Sequence, residues 1–206
     1  NDLLYVPFST YIASKNDYIM QLAQFDGKKL ELIPNPNKGD GYNGDPIVVN
    51  NILYFLYGSS NWEYGSPHNS FPHLAKFDGK LITLISNPDK GHYIRGSQVE
   101  YNSNLYLTYI NALGISHLAR YDGSKLQLLP NPDKGNGFNG TLFVYNGKLF
   151  SGYRNAKGIQ QLAVYDGHLF KLIFGPGRRG KYGFSDPVIY KNKLFFDWDS
   201  NLAYLE

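Results

Sequence analysis

Apolar residues along the chain come in short runs of four to six, and one phrase recurs at a nearly fixed interval. Its clearest form is Leu-Ala-Arg-Tyr-Asp-Gly at 118–123, with a second apolar run at 126–129. The leucines that open the copies are Leu22, Leu74, Leu118, Leu162 and, in a truncated copy, Leu202. They are 52, 44, 44 and 40 residues apart. Repetition with a period near 44 residues is typical of propellers and solenoids.

Each repeat contains four strand-like runs. In the third copy these runs are 118–121, 125–129, 142–145 and 148–153, and a segment at 131–140 separates the second from the third. Short apolar runs bounded by Gly, Pro, Asn and Asp indicate β-strands. We count eighteen such runs in the chain, with a lone fourth-strand copy at 3–8 and a lone first-strand copy at 202–205.

Two kinds of turn connect the runs. Asp122-Gly123 and Asn146-Gly147 stand between apolar runs, and both dipeptides favour type I′ hairpin turns, which need positive φ at both central residues. At the second kind of turn the other copies carry Asn50-Asn51, Asn102-Ser103 and Lys191-Asn192. We predict tight turns there too.

The strands are apolar on both faces, as in the run Leu-Tyr-Phe-Leu-Tyr at 53–57. A sandwich strand with one solvated face would alternate instead, whereas a propeller blade is covered on both faces by its neighbours. We therefore predict an all-β propeller in one domain, 1–206, with repeats starting near residues 21, 73, 117 and 161. It would have four to five four-stranded blades, with incomplete blades at the two ends.

The order of runs also resembles a known family. An apolar strand at 46–50, a tight turn, a Leu-Tyr-Phe strand at 52–58, a strand ending in Phe-Asp at 73–78 and a further strand at 81–85 are similar to a kelch repeat. The Asp-Gly turns are also similar to the repeats of bacterial, often surface-located propeller proteins. The resemblance implies a propeller fold and a secreted or cell-surface location, and its motifs carry no chemistry.

Composition and charge exclude several function classes. The net charge is +3, and the only basic cluster lies at 178–181, so nucleic-acid binding is disfavoured. Cysteine is absent, which excludes disulfides and thiolate metal sites. No run approaches the roughly 20 apolar residues of a membrane span. The chain opens at Asn1 without methionine, so we expect a mature, trimmed or excised sequence. We predict no cofactor and no metal.

The segment between the second and third runs is the first candidate ligand site. It reads Asn-Pro-Asn/Asp-Lys-Gly followed by an aromatic, and aromatic residues make up 16% of the chain. The candidate ligand residues are Asn35, Lys38, Tyr42, Asn87, Lys90, Tyr93, Asn131, Lys134 and Phe138. One interpretation is a connector between blades, built from turn residues. The other is a repeated pocket in which an aromatic face and polar groups bind a sugar.

The end of the fourth run is the second candidate site. An aromatic stands there in every copy, namely Phe8, Tyr57, Tyr109, Tyr153 and Trp198. The loops that follow differ in length, and the longest carries Trp62, while the shorter ones carry Asn111 and Asn155. Such an aromatic either packs between blades or binds ligand beside variable loops on a rigid scaffold.

Polar residues at repeated positions have simpler explanations. Asp26, Asp78, Asp122 and Asp166 belong to their turns. His73 and His117 share a register with Gln21, Gln161 and Asn201, which indicates structural hydrogen bonding rather than metal ligation. Glu100 and Asp197 break their repeat pattern, and two such carboxylates would suit glycosidic chemistry.

These observations rank three functions. We predict first a non-catalytic, lectin-like module that binds carbohydrate or glycoprotein at several equivalent sites, because weak repeated sites gain strength through multivalency. The alternative is a protein-interaction or spacer propeller of a surface protein. The third is a glycan-active enzyme. We also expect the lone terminal strands to pair with each other or with a second molecule, since unpaired strand edges favour association.

Overall fold

All regular elements in the described residues are β-strands. The structure is a computed structural model that describes residues 3–12, 17–36, 41–58, 72–89, 93–174, 184–198 and 201–205. The chain divides into two compact units, Asn1–Asn87 and Pro88–Glu206. The prediction of an all-β chain is confirmed for the described part.

The first unit contains two antiparallel sheets. Its strands are β1 (Leu4–Ile12), β2 (Asp17–Phe25), β3 (Leu30–Leu32), β4 (Gly41–Val49), β5 (Ile52–Gly58), β6 (His73–Phe77) and β7 (Ile82–Leu84). Sheet one has the order β1-β2-β3, and sheet two has the order β4-β5-β6-β7. Each strand pairs with its neighbour in sequence, as expected for strands joined by tight turns.

The second unit contains a nine-stranded sheet and a three-stranded sheet. Its strands are β8 (Tyr93–Tyr101), β9 (Asn104–Ile110), β10 (Ser116–Tyr121), β11 (Leu126–Leu128), β12 (Gly137–Phe138), β13 (Phe143–Tyr145), β14 (Lys148–Arg154), β15 (Gln160–Tyr165), β16 (Phe170–Phe174), β17 (Phe184–Tyr190), β18 (Lys193–Trp198) and β19 (Asn201–Leu205). We divide the nine-stranded sheet into sheets three and four at its β10–β12 pair, so that sheet three comprises β8 to β11 and sheet four β12 to β16, while sheet five comprises β17 to β19. The parallel pairing of β12 with β10 joins sheets three and four.

The two-residue turns follow the sequence prediction. Both central residues have positive φ at 50–51 (51° and 62°), 102–103 (49° and 59°), 146–147 (47° and 66°) and 191–192 (47° and 58°). These are the left-handed conformations of a type I′ turn, whose twist matches that of the strands it connects. The same register is therefore repeated at the start of β5, β9, β14 and β18.

The Asp-Gly turns differ from the prediction. Only the glycine has positive φ, for example 96° at Gly123. The Asp122 carboxylate instead accepts hydrogen bonds from the backbone N–H groups of Ser124 and Lys125, both at 2.9 Å. These are four-residue turns built on an aspartate side chain. The type I′ assignment was wrong for this dipeptide because the next strand begins two residues later than a type I′ turn allows.

Part of the predicted loop before the third run is strand. In sheets two and three it extends β4 back to Gly41 and β8 back to Tyr93, and a bulge interrupts each register. In sheet four it contains the separate strand β12, and so the described residues form nineteen strands where eighteen runs were counted. β12 lies so close to β10 that a Cβ on Gly137 would overlap the Ser116 carbonyl oxygen. Only glycine fits there.

Within each unit the sheets pack face to face in one repeated way. We call the face that contacts the next sheet along the chain the leading face, and the opposite one the trailing face. In sheet three the leading face includes Tyr106 and Leu118, which share an apolar cluster with Leu149 and Tyr165 of sheet four. The leading faces of sheets one and four form equivalent clusters with sheets two and five, respectively.

Candidate functional site

The repeated loop and the repeated aromatic form one network. The Tyr153 ring is fully buried, and its hydroxyl donates to Asp133 Oδ1 at 2.6 Å. Asp133 Oδ1 also accepts from the Gly135 N–H at 2.8 Å, and Oδ2 accepts from the Ala156 N–H at 3.0 Å. The tyrosine at the end of β14 therefore fixes the loop before it and the turn after it.

Sheet three repeats this network one period earlier. Tyr109 is fully buried and donates to Asp89 Oδ1 at 2.6 Å, while the Ala112 N–H reaches Asp89 Oδ2 at 3.3 Å. In both sheets the aspartate precedes the tyrosine by twenty residues. Tyr57 is fully buried as well, and its counterpart, Asn37, lies outside the described residues.

The electrostatics of the network follow from these contacts. Burial and the adjacent Asp133 carboxylate raise the pKa of Tyr153 well above its usual range. Burial alone would raise the pKa of Asp133, but the hydrogen bonds from Tyr153, Ala156 and Gly135 outweigh it and lower that pKa. The carboxylate therefore stays ionised at neutral pH and has its hydrogen-bond donors within the protein.

The loop aromatics are also in the core. Phe138 is buried, with its ring centroid 5.1 Å from that of Tyr153 in an edge-to-face contact. Tyr42 is buried, and its ring centroid lies 5.2 Å from that of Phe55. A sugar needs an accessible ring face, which these side chains do not offer.

The remaining candidate ligand residues fall into three groups. Asn35 and Asn131 donate through Nδ2 to the carbonyls of Met20 (3.2 Å) and Ser116 (3.0 Å), and so each ties the loop to a neighbouring strand. Asn87 is half-buried and Lys134 is exposed. Lys38, Trp62 and Lys90 lie outside the described residues, as do the side chains of Tyr93 and Trp198.

The polar residues that begin the first strand of each repeat form hydrogen bonds with the preceding turns, as predicted. Asn111 Nδ2 lies 3.0 Å from His117 Nε2, and Asn155 Nδ2 donates to Gln161 Oε1 at 2.7 Å. The Asn155 Oδ1 accepts from the N–H groups of Lys157 (3.0 Å) and Ile159 (2.9 Å), and Asn111 caps its turn in the same way. The asparagines that follow the aromatic register therefore hold the turns together.

The two unusual carboxylates lie on different sheets. Glu100 is exposed on β8 opposite Leu105, and Asp197 is exposed on β18 opposite Leu202. Within the described residues no group of three or more His, Asp or Glu side chains could hold a metal ion. No helix in that part of the chain is long and apolar enough to cross a membrane.

Sheet five exposes an apolar face that sequence reasoning missed. Leu202 is 78% exposed, although Leu22, Leu118 and Leu162 at the same repeat position are at most 2% exposed. Tyr190 is 58% exposed, whereas its equivalents Tyr101 and Tyr145 are at most 6% exposed. Val188, Tyr190, Leu202 and Tyr204 lie on the leading face of sheet five, and we call them the end patch.

Sheet one exposes the complementary position. Leu4 is 58% exposed, whereas Leu53, Leu149 and Leu194 at the same repeat position are at most 7% exposed. The start patch consists of Leu4, Phe8, Leu30 and Leu32, which are all exposed on the trailing face of sheet one. The signal for both patches was present in the alignment of repeats, because these residues belong to its first and last copies.

The chain was compared with family models, with curated proteins and with solved structures. No family model matches the chain, and no curated protein matches it. Among solved structures the chain is similar to an alpha-L-arabinofuranosidase from Clostridium thermocellum, with 17% identity over 73% of this chain and 79% of that one. The TM-score is 0.28, and a likeness at this level carries no argument about function.

The prediction of a non-catalytic, lectin-like module is corrected. One of the solved structures that match is that of an enzyme. Independently, the repeated aromatics that were to bind sugars are buried wherever their side chains are described, Phe8 excepted. Among the described residues, the aromatics equivalent to Phe8 in the other repeats are buried, so the prediction of multivalent binding loses its structural basis.

Proposed function

We propose that this chain is a propeller-type repeat scaffold whose function is to bind protein through the open apolar faces of its end sheets. The described residues form four hydrogen-bonded sheets, and the nine-stranded one consists of two segments joined through the β10–β12 pair, which supports an interpretation as five blades of which the first and last are incomplete. The kelch-like resemblance and a secreted or surface location remain predictions that belong to this proposal.

The observation that carries the proposal is the end patch. Exposed apolar side chains grouped on one face of a protein mark interaction sites, and tyrosine is enriched among residues that dominate binding energy. The exposed Asp197 lies on the same face, opposite Leu202. Lys191 and Lys193 place their ammonium groups 5.2 Å and 5.0 Å from the ring centroids of Tyr190 and Tyr204. Aromatic rings beside cationic groups on an apolar sheet face are typical of a protein-binding surface with a polar rim.

A photo-crosslinking amino acid at position 202 tests this function in cells that produce the chain. We expect covalent adducts with polypeptide, because a protein would cover the end patch. The same amino acid at position 113 is the control, since Leu113 is equally apolar and is exposed at a turn far from both patches in sequence. Adducts no more abundant at 202 than at 113 would refute the proposed function.

A further inference from the structure

One cationic side chain of the second unit is half-buried between two sheets. Arg120 lies on the leading face of sheet three, beside Tyr106 on one neighbouring strand and Gln127 on the other. Tyr106 shares an apolar cluster with Tyr165 of sheet four, and the ring centroids of these two tyrosines are 6.0 Å apart. The Arg120 guanidinium therefore lies at the border of an apolar contact, where it has lost part of its hydration.

The protein satisfies this guanidinium incompletely. Its Nη2 donates to Gln127 Oε1 at 3.4 Å, a long hydrogen bond, and the guanidinium also interacts with the Tyr106 hydroxyl. The Arg120 Nε–H is buried and has no hydrogen-bond partner among the described residues. No carboxylate in that part of the chain forms an ion pair with Arg120, and Asp122 is held by the N–H groups of its own turn. A planar group that is rich in donors thus lacks an anionic partner.

The equivalent pair in sheet one shows what is missing. The residues at the positions of Arg120 and Gln127 are Gln24 and Glu31 there, and Gln24 Nε2 donates to Glu31 Oε2 at 3.1 Å. Sheet three therefore has a cation at the first position and a neutral side chain at the second, where sheet one has a carboxylate. A charge that is partly desolvated and not neutralised is unfavourable, and it favours the binding of an anion from solution.

We propose that Arg120 and Tyr106 bind an oxyanion of a ligand, a carboxylate or phosphate group, at the border between sheets three and four. A guanidinium forms paired, charge-assisted hydrogen bonds with such groups. Burial raises the pKa of Tyr106 to about 12, so its hydroxyl stays protonated at neutral pH and can donate as well. Arg120 and Gln127 both retain contact with solvent, which allows an anion to reach the guanidinium. Oxyanion binding here requires neither the end patch nor the start patch.

Nuclear magnetic resonance tests this site directly, because an ordered arginine Nε–H gives a separate signal. Inorganic phosphate and acetate are titrated at constant ionic strength into the full, isotope-labelled chain. We expect the Arg120 Nε–H signal, identified by its loss in Arg120→Gln, to shift and saturate with at least one of the two anions. Arg154 is exposed and its Nε–H donates to the Gly158 carbonyl, so its signal should show no saturable shift.

Two substitutions taken from sheet one check the assignment. Arg120→Gln reproduces Gln24 and should weaken anion binding about tenfold or more, the effect of losing a hydrogen bond to a charged group. Gln127→Glu reproduces Glu31 and gives Arg120 an internal carboxylate, which should compete with the anion and lower its affinity. Arg154→Gln is the matched control and should bind the anion as the unmodified chain does.

The rise in melting temperature with anion concentration gives the affinity of each variant, because a ligand that binds only the folded state stabilises it. Circular dichroism checks folding, and Gln127→Glu keeps the test valid if Arg120→Gln does not fold. The absence of a saturable shift of the Arg120 Nε–H signal with both anions would overturn the proposal. Equal anion affinities of the unmodified chain and a folded variant at 120 or 127 would overturn it too, and would leave Arg120 as a cross-strand partner of Gln127 and Tyr106.

Discussion

A tyrosine whose ring is buried needs a hydrogen-bond partner for its hydroxyl, and the loops of this chain supply one in several places. Tyr153 donates to the Asp133 carboxylate, whereas Tyr145 and Tyr165 donate to the backbone carbonyls of Asn192 and Gly167. The recurrence of tyrosine at these positions is therefore explained by structure: the ring fills the core, and the hydroxyl positions a loop.

Removing the Tyr153 hydroxyl should destabilise the protein without opening a cavity. We expect Tyr153→Phe to lower the free energy of unfolding by about 2 kcal/mol, because the lost hydrogen bond has a charged acceptor. Tyr165→Phe is the matched control, since its hydroxyl donates to a neutral carbonyl at 2.7 Å and its loss should cost about 1 kcal/mol. Urea unfolding at pH 7 measures both.

A double-mutant cycle assigns the loss to the contact with Asp133. Asp133→Asn should cost less in the Tyr153→Phe background than in the unmodified chain, because the two changes remove the same hydrogen bond. Strictly additive effects would mean that Tyr153 stabilises the fold through its ring alone.

The turn aspartates predict a pH dependence of stability. Hydrogen bonds from Lys125 and Ser124 lower the pKa of Asp122 to about 2, from an ordinary value of 3.8. A lowered folded-state pKa contributes stability that is present above pH 3.8 and is lost as the pH falls to about 2. Asp122→Asn should therefore be less stable than the unmodified chain at pH 6, and the difference should shrink toward zero at pH 2.

Thermal unfolding of both proteins at pH 6, 3 and 2 provides the measurement. Comparison at matched pH cancels the contribution of the other three turn aspartates, which have the same backbone contacts in both proteins. A difference that stays constant down to pH 2 would contradict the role assigned to the carboxylate.

At the scale of elements, the type I′ turns show how the strands keep their register. Ser103 has a φ of 59° and Gly147 has a φ of 66° at equivalent positions of two turns. A left-handed conformation costs a non-glycine residue about 1 kcal/mol. We expect Ser103→Gly to raise the free energy of unfolding by about 0.5–1 kcal/mol and Gly147→Ser to lower it by a similar amount. Guanidinium unfolding measures both, and changes of the same sign would contradict the turn assignment.

Elements were predictable where the determinants are local. The two-residue spacing between apolar runs at 50–51 and 102–103 indicated tight turns, and the structure has type I′ turns at both places. The Asp-Gly turns were misassigned because the same dipeptide also starts a four-residue turn, and the bonds from Asp122 to later N–H groups depend on where β11 begins. The loop at 131–140 was missed as strand because β12 pairs with β10, a contact that no local pattern encodes.

The candidate site was less predictable because burial is not a local property. An aromatic residue at the same position of every repeat is expected both for a core residue and for a ligand-binding residue, so the sequence pattern does not distinguish the two roles. Only the fold shows that Tyr109 and Tyr153 are covered on both faces. Likewise, Leu162 and Leu202 are both followed by alanine at the same repeat position, yet Leu162 is 2% exposed and Leu202 is 78% exposed.

At the scale of the whole molecule, stability in repeat proteins is a sum of repeat and nearest-neighbour terms. Leu162 is 2% exposed and Leu202 is 78% exposed, so the same substitution should have different effects at the two positions. We expect Leu162→Ala to lower the free energy of unfolding by about 2–5 kcal/mol, the usual cost of a cavity at a buried leucine. In dilute solution Leu202→Ala should change it by less than about 0.5 kcal/mol.

Scanning calorimetry of the dilute unmodified chain, Leu162→Ala, Leu202→Ala and Leu113→Ala provides the measurement. Leu113 is 81% exposed at a turn, so Leu113→Ala is the control for an exposed leucine and should leave the melting temperature almost unchanged. Equal losses of stability at positions 162 and 202 would mean that Leu202 is as well covered as Leu162, and that the leading face of sheet five is not exposed.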